Sequence, residues 1–224
     1  MNPNVVYICE QFVTGNIVSF DGLCDEDSNV VFCISNVFPP SVSYVVEQGQ
    51  DLFYYTVKNI PEDLEEIGRK VIKAFNVKRR FFHLEFFRLT KGVKGVGKAG
   101  DLVALETNMR PAGGFTPDLI NFSQSISTYQ LYGDVMAYNE NRQKMDYEKY
   151  FAACASRRDG VDYEHSDVDV LEHFYGKVCN YGRYPSVLSG AMGNRFFMAK
   201  FNSLDEVNEF QEYCEKRVVN ERDY

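Results

Sequence analysis

Alternating apolar and polar positions in the first third of the chain are typical of β-strands. A turn sequence at Thr14-Gly15-Asn16 separates two such runs, and an acidic loop follows the second. Short turns between neighbouring strands predict an antiparallel meander. Phe38-Pro39-Pro40 opens a loop before the next strand. The strands predicted in this part of the chain cover residues 5–12, 17–23, 30–35 and 51–58.

An amphipathic helix is predicted after this meander. Pro61 begins it, because proline is favoured at the first position of a helix. Apolar residues then recur at spacings of three and four, which places them on one buried face. These residues are Leu64, Ile67, Gly68, Val71, Ile72 and Phe75.

Two more strands are predicted over residues 80–89 and 101–109, joined by a segment rich in glycine and lysine, 90–100. We expect that segment to be an exposed, mobile loop. A helix is predicted within residues 115–137, beginning after Thr116-Pro117-Asp118.

The last third is predicted to hold helices and one strand pair. A helix is expected over 167–175, and strands over 185–191 and 195–201 are expected to turn at Gly193-Asn194. The final helix begins after Ser203, since Glu206 three residues later completes a capping box.

Polar residues on the two central strands are the candidate chemistry. Side chains alternate faces along a strand, so one face carries Phe81, His83, Glu85 and Phe87. The same rule predicts that Leu102, Ala104, Glu106, Asn108 and Arg110 share a face of the second strand. If the two strands are antiparallel neighbours, Glu85 and Glu106 face each other, and Asn108 and Arg110 continue that row.

Two carboxylates and an amide oxygen are hard donors that suit Mg²⁺. A cation would also relieve the repulsion between the carboxylates of Glu85 and Glu106. Arg110 could hold a phosphoryl oxygen or a carboxylate through its planar guanidinium. The alternative is that both glutamates lie on a solvent-facing side of the sheet. Their apolar neighbours favour a partnered carboxylate instead.

Net charge and cysteine usage exclude several classes of protein. The formal charge of −8 argues against nucleic acid and against an anionic membrane surface as partners. The six cysteines form no CxxC pair and only three histidines are present, so we expect reduced, mostly buried thiols in a cytoplasmic protein. The first twelve residues lack the features of a signal peptide, and no apolar run is long enough to span a membrane.

The segments HLEFF and LETNMRPAGG resemble the signature of ATP-grasp enzymes of the carboxylate–amine ligase and biotin carboxylase type. That signature has a Glu on one strand and Glu-x-Asn-x-Arg-x-x-Gly-Gly on the next. The opening VVYICEQFVTGNIVSFDG is similar to the adenine hinge of the family, and the segment from Val161 resembles its small closing lobe. The resemblance implies an α+β fold, with a mainly antiparallel sheet flanked by helices in residues 1–155 and a small α/β lobe in 156–224.

The resemblance also implies roles for individual residues. Glu85, Glu106 and Asn108 would bind Mg²⁺ or Mn²⁺, the two glutamates also being part of the ATP site. Arg110 would be catalytic and would steady the phosphoryl group or an acyl phosphate. The residues implied in substrate binding are Arg110, Gly113, Gly114 and His83, although His83 could equally be a packed strand histidine. The residues implied in adenine binding are Glu10, Gln11, Phe12 and Val13.

Two departures from the family pattern qualify this interpretation. Ile17 stands where the family often has an acidic residue that reaches the ribose. The family also places a substrate domain and a lysine-bearing lobe before the hinge. We therefore expect a partial chain that needs amino-terminal lobes in cis or in trans, and homodimerisation stays open.

Three further patterns carry less weight. The segment Gly92–Ala99 is close to a P-loop, but Ala99 replaces the Ser or Thr that would bind Mg²⁺ and a strand follows where a helix is required. The GxGxxG pattern of Gly95–Gly100 fails for the same reason. A basic lid over phosphates is the functional alternative to a plain hairpin loop. Arg157-Arg158 is predicted to be a surface turn, the alternative being a phosphate or substrate contact.

The sequence therefore predicts an ATP- and Mg²⁺-dependent, ADP-forming ligase that activates a carboxylate for attack by an amine or a similar nucleophile. One alternative is a catalytically silent ATP-grasp-like module that binds a partner or oligomerises. A second is carboxylation chemistry similar to that of biotin carboxylase.

Overall fold

A computed structural model describes residues 5–39 and 49–218 and shows a nine-stranded sheet in which every paired strand is antiparallel. From one edge the strands run β6-β5-β1-β3-β4-β7-β9-β8, and β2 pairs with β1 beside this path. The strands are β1 Gly15–Cys24, β2 Val30–Ile34, β3 Asn36–Phe38, β4 Phe53–Thr56, β5 Phe81–Leu89, β6 Leu102–Asn108, β7 Phe151–Arg157, β8 Val178–Arg183 and β9 Arg195–Phe201.

Helices cover both faces of the sheet. Apolar side chains from alternate strand positions pack against α1, α4 and α6 on one face and against α2 and α3 on the other, so the core consists of two layers. The helices are α1 Glu62–Ala74, α2 Thr116–Gln124, α3 Thr128–Tyr138, α4 Asp167–His173, α5 Ser189–Met192 and α6 Leu204–Glu215, with a short 3₁₀ turn at Ser186–Leu188 before α5.

The α+β fold class predicted from the sequence is confirmed. Helix α1 begins directly after Pro61 and buries Leu64, Gly68 and Ile72 as its spacing predicted. Ile67 and Phe75, which were predicted on the same buried face, are exposed, because they lie at the edge and the end of the helix. The capping box of α6 is present, with Ser203 and Glu206 each satisfying the other's backbone N–H. The sheet continues without a break across residue 155, and the division of the chain at that residue stays a prediction.

The strand predicted over residues 5–12 is wrong. Residues 5–14 form no strand, and Val6, Ile8 and Phe12 are 95%, 84% and 88% exposed. An apolar β-branched run forms a strand only where a neighbouring strand accepts its backbone hydrogen bonds. The loop predicted to open at Phe38-Pro39-Pro40 runs into residues 40–48, which lie outside the described residues.

Three predictions in the second half of the chain are also corrected. Residues 185–191 form the 3₁₀ turn and part of α5 and are not a strand. The hairpin partner of β9 is instead β8, and β7 pairs with its other edge. The single helix predicted within 115–137 is two helices, because Ser125 adopts a left-handed conformation (φ 54°) that ends α2. The alanine-rich β7 was not predicted, since alanine does not mark a strand by propensity.

Arg157 is buried and does not lie in a surface turn. Only 1% of it is exposed, and its guanidinium donates to the backbone oxygens of Cys214 (2.8 Å) and His165 (2.9 Å) and to Asp167 (3.0 Å). The predicted surface turn is therefore wrong for Arg157, whose contacts connect β7 to α4 and α6. The lysines of the β5–β6 loop are exposed as predicted.

All six cysteines are free, and three of them, Cys24, Cys154 and Cys214, are buried. Burial raises the pKa of the Cys154 thiol to about 11, which keeps it protonated at neutral pH. In the described part of the chain, no helix has the length and apolar character needed to cross a membrane.

Candidate active site

The two candidate glutamates lie opposite each other at the middle of β5 and β6. Glu85 pairs with Glu106, and His83 pairs with Asn108, so the four side chains share one face of the sheet. Like charges directly opposite each other on neighbouring strands are destabilising unless a cation accompanies them. This pair therefore needs positive charge nearby.

A β-bulge brings Glu106 to this position. The register shifts between Glu85 and Phe86, so that Ala104 pairs with Phe86 and Leu105 is the additional residue on β6. The prediction that Leu102 and Ala104 share a face with Glu106 is accordingly wrong. Sequence spacing assumes strict alternation, and one inserted residue inverts it.

His83 supplies positive charge beside Glu85. Its Nδ1 contacts Asp21 Oδ1 through a short hydrogen bond, and its Nε2 lies 3.0 Å from Glu85 Oε1. Burial opposes the charged form of the ring, but Asp21 and Glu85 outweigh it and raise the pKa of His83 to about 10. The imidazole is therefore a cation at neutral pH that links the two carboxylates.

Behind His83 lies a buried chain of hydrogen bonds. Asn36 donates from Nδ2 to Asp21 Oδ2 (2.8 Å), and Thr56 donates to Asn36 Oδ1 (2.6 Å). Ser19 donates to the same Asp21 oxygen and accepts from the backbone N–H of Asn36 (3.0 Å). This chain runs across β4, β3, β1 and β5 and fixes the ring that contacts Glu85.

A cleft of about 490 Å³ opens in front of the glutamates, a size typical of small-molecule sites. Its charged end is formed by His83, Glu85, Glu106 and Arg110. Residues from β1, β3, β4 and α5 complete the walls, and the turn before α2 closes one side.

Arg110 and the two glycines lie in the turn between β6 and α2. The Arg110 side chain is exposed, donates to Pro111 O (2.9 Å) and lines the cleft, as does Gly113. Gly114 has a left-handed φ of 61°, and a Cβ there would lie 2.8 Å from Met192 Sδ. Glycine is required at that position because it permits both the backbone conformation and the close packing.

Glu85, Glu106 and Asn108 form a donor set that fits a magnesium ion bound together with phosphate and water oxygens. Mg²⁺ commonly takes one or two carboxylates and completes its shell with substrate phosphates and water. The Nδ2 atom of Asn108 is buried without a hydrogen-bond partner among the described residues, so rotating the amide to present its oxygen there breaks no hydrogen bond. Across the described residues, no group of three or more His, Cys, Asp or Glu side chains is arranged to hold a metal.

The residues implied in adenine binding do not line the cleft. Glu10, Gln11 and Phe12 are exposed and Val13 is half-buried. The chain then reaches β5, where Thr14 O accepts from the backbone N–H of Thr90 (3.3 Å). Ile17 does line the cleft, and it gives that wall an apolar side chain.

Sequence reasoning missed several residues of the site. Asp21 and Asn36 stand on strands that were predicted, but their convergence on His83 depends on the order of strands in the sheet. Leu105 enters the cleft through the bulge, and Ala191 and Met192 enter it through a segment predicted as a strand. The Ser-x-Asp-Gly pattern at residues 19–22 was the one signal that could have marked Asp21.

Comparison with solved structures identifies the fold. The chain is similar to the phosphoribosylaminoimidazole carboxylase ATPase subunit from Aquifex aeolicus, with a TM-score of 0.63 and 16% identity over 92% of this chain and 60% of that one. It is similar to the L-amino acid ligase from Bacillus licheniformis, with a TM-score of 0.66 and 14% identity over 94% of this chain and 55% of that one. The chain has an ATP-grasp ligase-like fold.

A third structure with this fold contains a nucleotide. It is N5-carboxyaminoimidazole synthetase from Staphylococcus aureus complexed with ADP, with a TM-score of 0.60 and 14% identity over 91% of this chain and 50% of that one. The chain thus spans 50–60% of the length of these three enzymes. No protein-family model matches the sequence, and no curated protein matches it at a significant level.

Proposed function

We propose that this chain is the metal- and phosphate-binding portion of an ATP- and Mg²⁺-dependent, ADP-forming ligase. The enzyme would activate a carboxylate as an acyl phosphate, and an amine or a similar nucleophile would displace the phosphate. The observation that carries the proposal is the pairing of Glu85 with Glu106 inside an ATP-grasp ligase-like fold. Asn108 lies two residues after Glu106 on the same face of β6.

In this proposal Glu85, Glu106 and Asn108 hold magnesium at the charged end of the cleft. Bound magnesium would offset negative charge on the phosphoryl group that is transferred. His83 is a positioning residue, because its contact with Glu85 occupies one carboxylate oxygen and directs the other toward a different partner. Asp21 in turn fixes the ring of His83.

Arg110 is proposed as the catalytic residue. It is exposed at the mouth of the cleft, and its planar guanidinium can donate two parallel hydrogen bonds to a carboxylate or a phosphoryl oxygen. The turn that follows it brings Gly113 to the cleft wall, where the absence of a side chain leaves room for substrate beside Arg110.

The nucleotide base is proposed to bind along residues 10–13, mainly through main-chain groups. This segment leads directly into Thr14, which bonds to Thr90 just beyond the end of β5. Ile17, three residues after Thr14, lines the cleft. An adenine there would have its phosphates directed along β5 toward Glu85. Since Ile17 offers no polar group, a hydrogen bond to the ribose would have to come from another residue.

Further lobes are part of the proposal, since the chain spans 50–60% of the enzymes it resembles. These lobes would supply phosphate-binding lysines in cis or in trans, together with contacts to the acid and the amine beyond those that this chain makes. The three comparison enzymes are named for small-molecule chemistry, which supports small-molecule substrates here. A homodimer and a cytoplasmic location are also part of the proposal.

Titration calorimetry of Mg²⁺·ATP against the full chain tests the proposal. We expect heat that fits a sub-millimolar dissociation constant and that is lost in the double variant Glu85→Gln, Glu106→Gln. If the chain alone gives no heat, the same titration is repeated with an amino-terminal ATP-grasp lobe added in trans. Absence of binding in both titrations would exclude the ligase.

A catalytically silent binding or oligomerisation module is the second candidate. Two observations favour it: Ile17 replaces a ribose-binding acid, and His83 already balances the charge of Glu85. A carboxylating enzyme is the third candidate, supported by the carboxylase and carboxyaminoimidazole synthetase among the similar structures. Phosphate release that depends on bicarbonate, and not on an amine, would identify that third activity.

A further inference from the structure

The two ends of the cleft differ sharply in character. One end carries the ionisable groups of His83, Glu85, Glu106 and Arg110. The other end is built from uncharged, mostly apolar side chains. Those are Phe38, Leu52, Tyr54, Ala191 and Met192, with Ile17 between the two ends.

An aromatic pair forms the base of the uncharged end, which we call the apolar chamber. The rings of Phe38 and Tyr54 stack with centroids 5.2 Å apart and an interplanar angle of 18°. The hydroxyl of Tyr54 is buried and lies 3.2 Å from Thr116 Oγ1, so it is already satisfied within the protein. The pair therefore presents ring surface, and not a free polar group, to a ligand.

The chamber offers no partner for a charged group. Arg110 is the single Lys or Arg among the described residues that line the cleft, and it lies at the charged end. Residues 40–48, outside the described part of the chain, contain no Lys or Arg in their sequence. A second anionic group placed in the chamber would lose its hydration without gaining a cation, which is unfavourable.

We infer that the carboxylate substrate is a monocarboxylate with an apolar, uncharged body, an inference that rests on the proposed function of the site. Its carboxylate lies at Arg110, and its body packs against Phe38, Tyr54 and Met192. This excludes dicarboxylates and phosphorylated acids, because their second charge would enter the chamber. Ala191, at the exposed rim, and Met192 contribute to this preference for an apolar acid. Both belong to α5, whereas the two glutamates belong to β5 and β6.

The test compares two acids of similar length by titration calorimetry on the full chain without nucleotide. The apolar acid is 3-phenylpropionate, and the charged one is the dicarboxylate adipate. We expect 3-phenylpropionate to bind at least about tenfold more tightly. Equal or tighter binding of adipate would overturn the inference, as would the failure of both acids to bind at millimolar concentration.

A pair of lysine variants locates the preference in the chamber. Ala191→Lys places a cation at its rim and should shift the ratio of the two dissociation constants toward adipate by about tenfold. Val187→Lys is the matched control, since Val187 is 87% exposed and does not line the cleft. A ratio that is unchanged in Ala191→Lys would refute the assignment.

Two additional titrations separate this inference from the proposed function. Adenosine should not displace 3-phenylpropionate, and displacement would assign the chamber to the nucleotide and overturn the inference. Mn²⁺ binding is measured independently by its paramagnetic signal. If Mn²⁺ and Mg²⁺·ATP fail to bind while the preference for the apolar acid is present, the ligase proposal fails and the binding preference of the chamber stands.

Discussion

Glu85 and Glu106 are directly opposed on adjoining antiparallel strands, and the buried ring of His83 contacts the first of them at 3.0 Å. The side chain of Glu85 is 17% exposed, whereas Glu106 is an exposed residue. The pair therefore combines one carboxylate held in place by the protein with one that is free to approach a ligand.

The first prediction concerns the metal affinity of this pair. Glu85→Gln and Glu106→Gln should each weaken Mn²⁺ binding at least about tenfold, because each removes one charged oxygen ligand. Electron paramagnetic resonance of free Mn²⁺ measures the affinity. Glu212→Gln, on the exposed side of α6, is the control and should leave it unchanged. Equal affinities in all three variants would remove the metal from the proposal.

The second prediction concerns the bulge. Deleting Leu105 removes the additional residue, so Ala104 and Glu106 become consecutive positions opposite Phe86 and Glu85, and Glu106 and Asn108 keep their face of the sheet. We expect Mn²⁺ binding and the sheet signal in circular dichroism to be retained. Deleting Thr107 instead should turn Asn108 to the opposite face and weaken Mn²⁺ binding, and an equal loss in both deletions would contradict the bulge. Inserting one glycine after Gly95, at the exposed loop tip outside the ladder, should leave Mn²⁺ binding unchanged.

The third prediction is a pH dependence of stability that originates from His83. Its folded pKa of about 10 lies above the ordinary value of 6.5, so its stabilisation is complete below pH 6.5 and is lost as the pH rises through about 10. Between about pH 6.5 and 10, the free energy of unfolding should fall by about 4 kcal/mol more in the wild type than in His83→Gln.

Urea unfolding at several pH values measures this difference. Other groups that titrate in the same range are shared by the two proteins and cancel in the comparison. Parallel slopes would show that His83 is not held as a cation by Asp21 and Glu85.

The fourth prediction compares the two neighbouring glycines. Gly114→Ala should lower the free energy of unfolding by about 1–2 kcal/mol, mainly because it adds strain at positive φ; the contact with the flexible end of the Met192 side chain adds a smaller steric part. Gly113→Ala should have a much smaller effect, since a Cβ there meets no atom within 4 Å. Combining Gly114→Ala with Met192→Ala should recover only the steric part, which a double-mutant cycle by thermal unfolding would quantify.

The fifth prediction concerns Arg157. Arg157→Leu should destabilise the fold by about 3–5 kcal/mol, because the backbone oxygens of Cys214 and His165 lose their buried donor. Arg183→Leu removes an exposed ion pair with Asp159 and should lower the free energy of unfolding far less, because solvent screens that pair. Denaturant unfolding of both variants provides the comparison, and similar losses would contradict a structural role for Arg157.

Local sequence patterns predicted the elements whose signals are local. The spacing of Leu64 and Ile72, the Pro61 start and the Ser203 capping box all identify helices without reference to the rest of the fold. The opposition of Glu85 and Glu106 also followed from two apolar strands and a short loop. This prediction held although strict alternation along β6 was wrong, because the bulge at Leu105 comes before Glu106 in the chain and Asn108 comes after it.

The remaining features depend on contacts between residues distant in sequence. Asp21, Asn36 and Thr56 meet His83 only because β1, β3 and β4 adjoin β5 in the order that the sheet adopts. Arg157 is buried because α4 and α6 close over it, whereas its neighbours Arg158 and Asp159 suggest a polar turn. Neither fact is encoded in the spacing or propensity of the local segment.

The bulge at Leu105 constrains how the length of this hairpin can vary among related proteins. Residues can be gained or lost in odd or even numbers at the loop tip around Gly95, because the tip lies outside the strand pairing. Between Ala104 and Glu106 the bulge allows one residue to be lost without exchanging the two sides of the sheet, because these two residues already pair with the consecutive residues Phe86 and Glu85. Between Glu106 and Asn108, by contrast, a change by one residue would turn Asn108 to the other side. Homologues that keep the metal ligands should therefore vary in loop length and can lack the bulge residue, but should keep the spacing from Glu106 to Asn108.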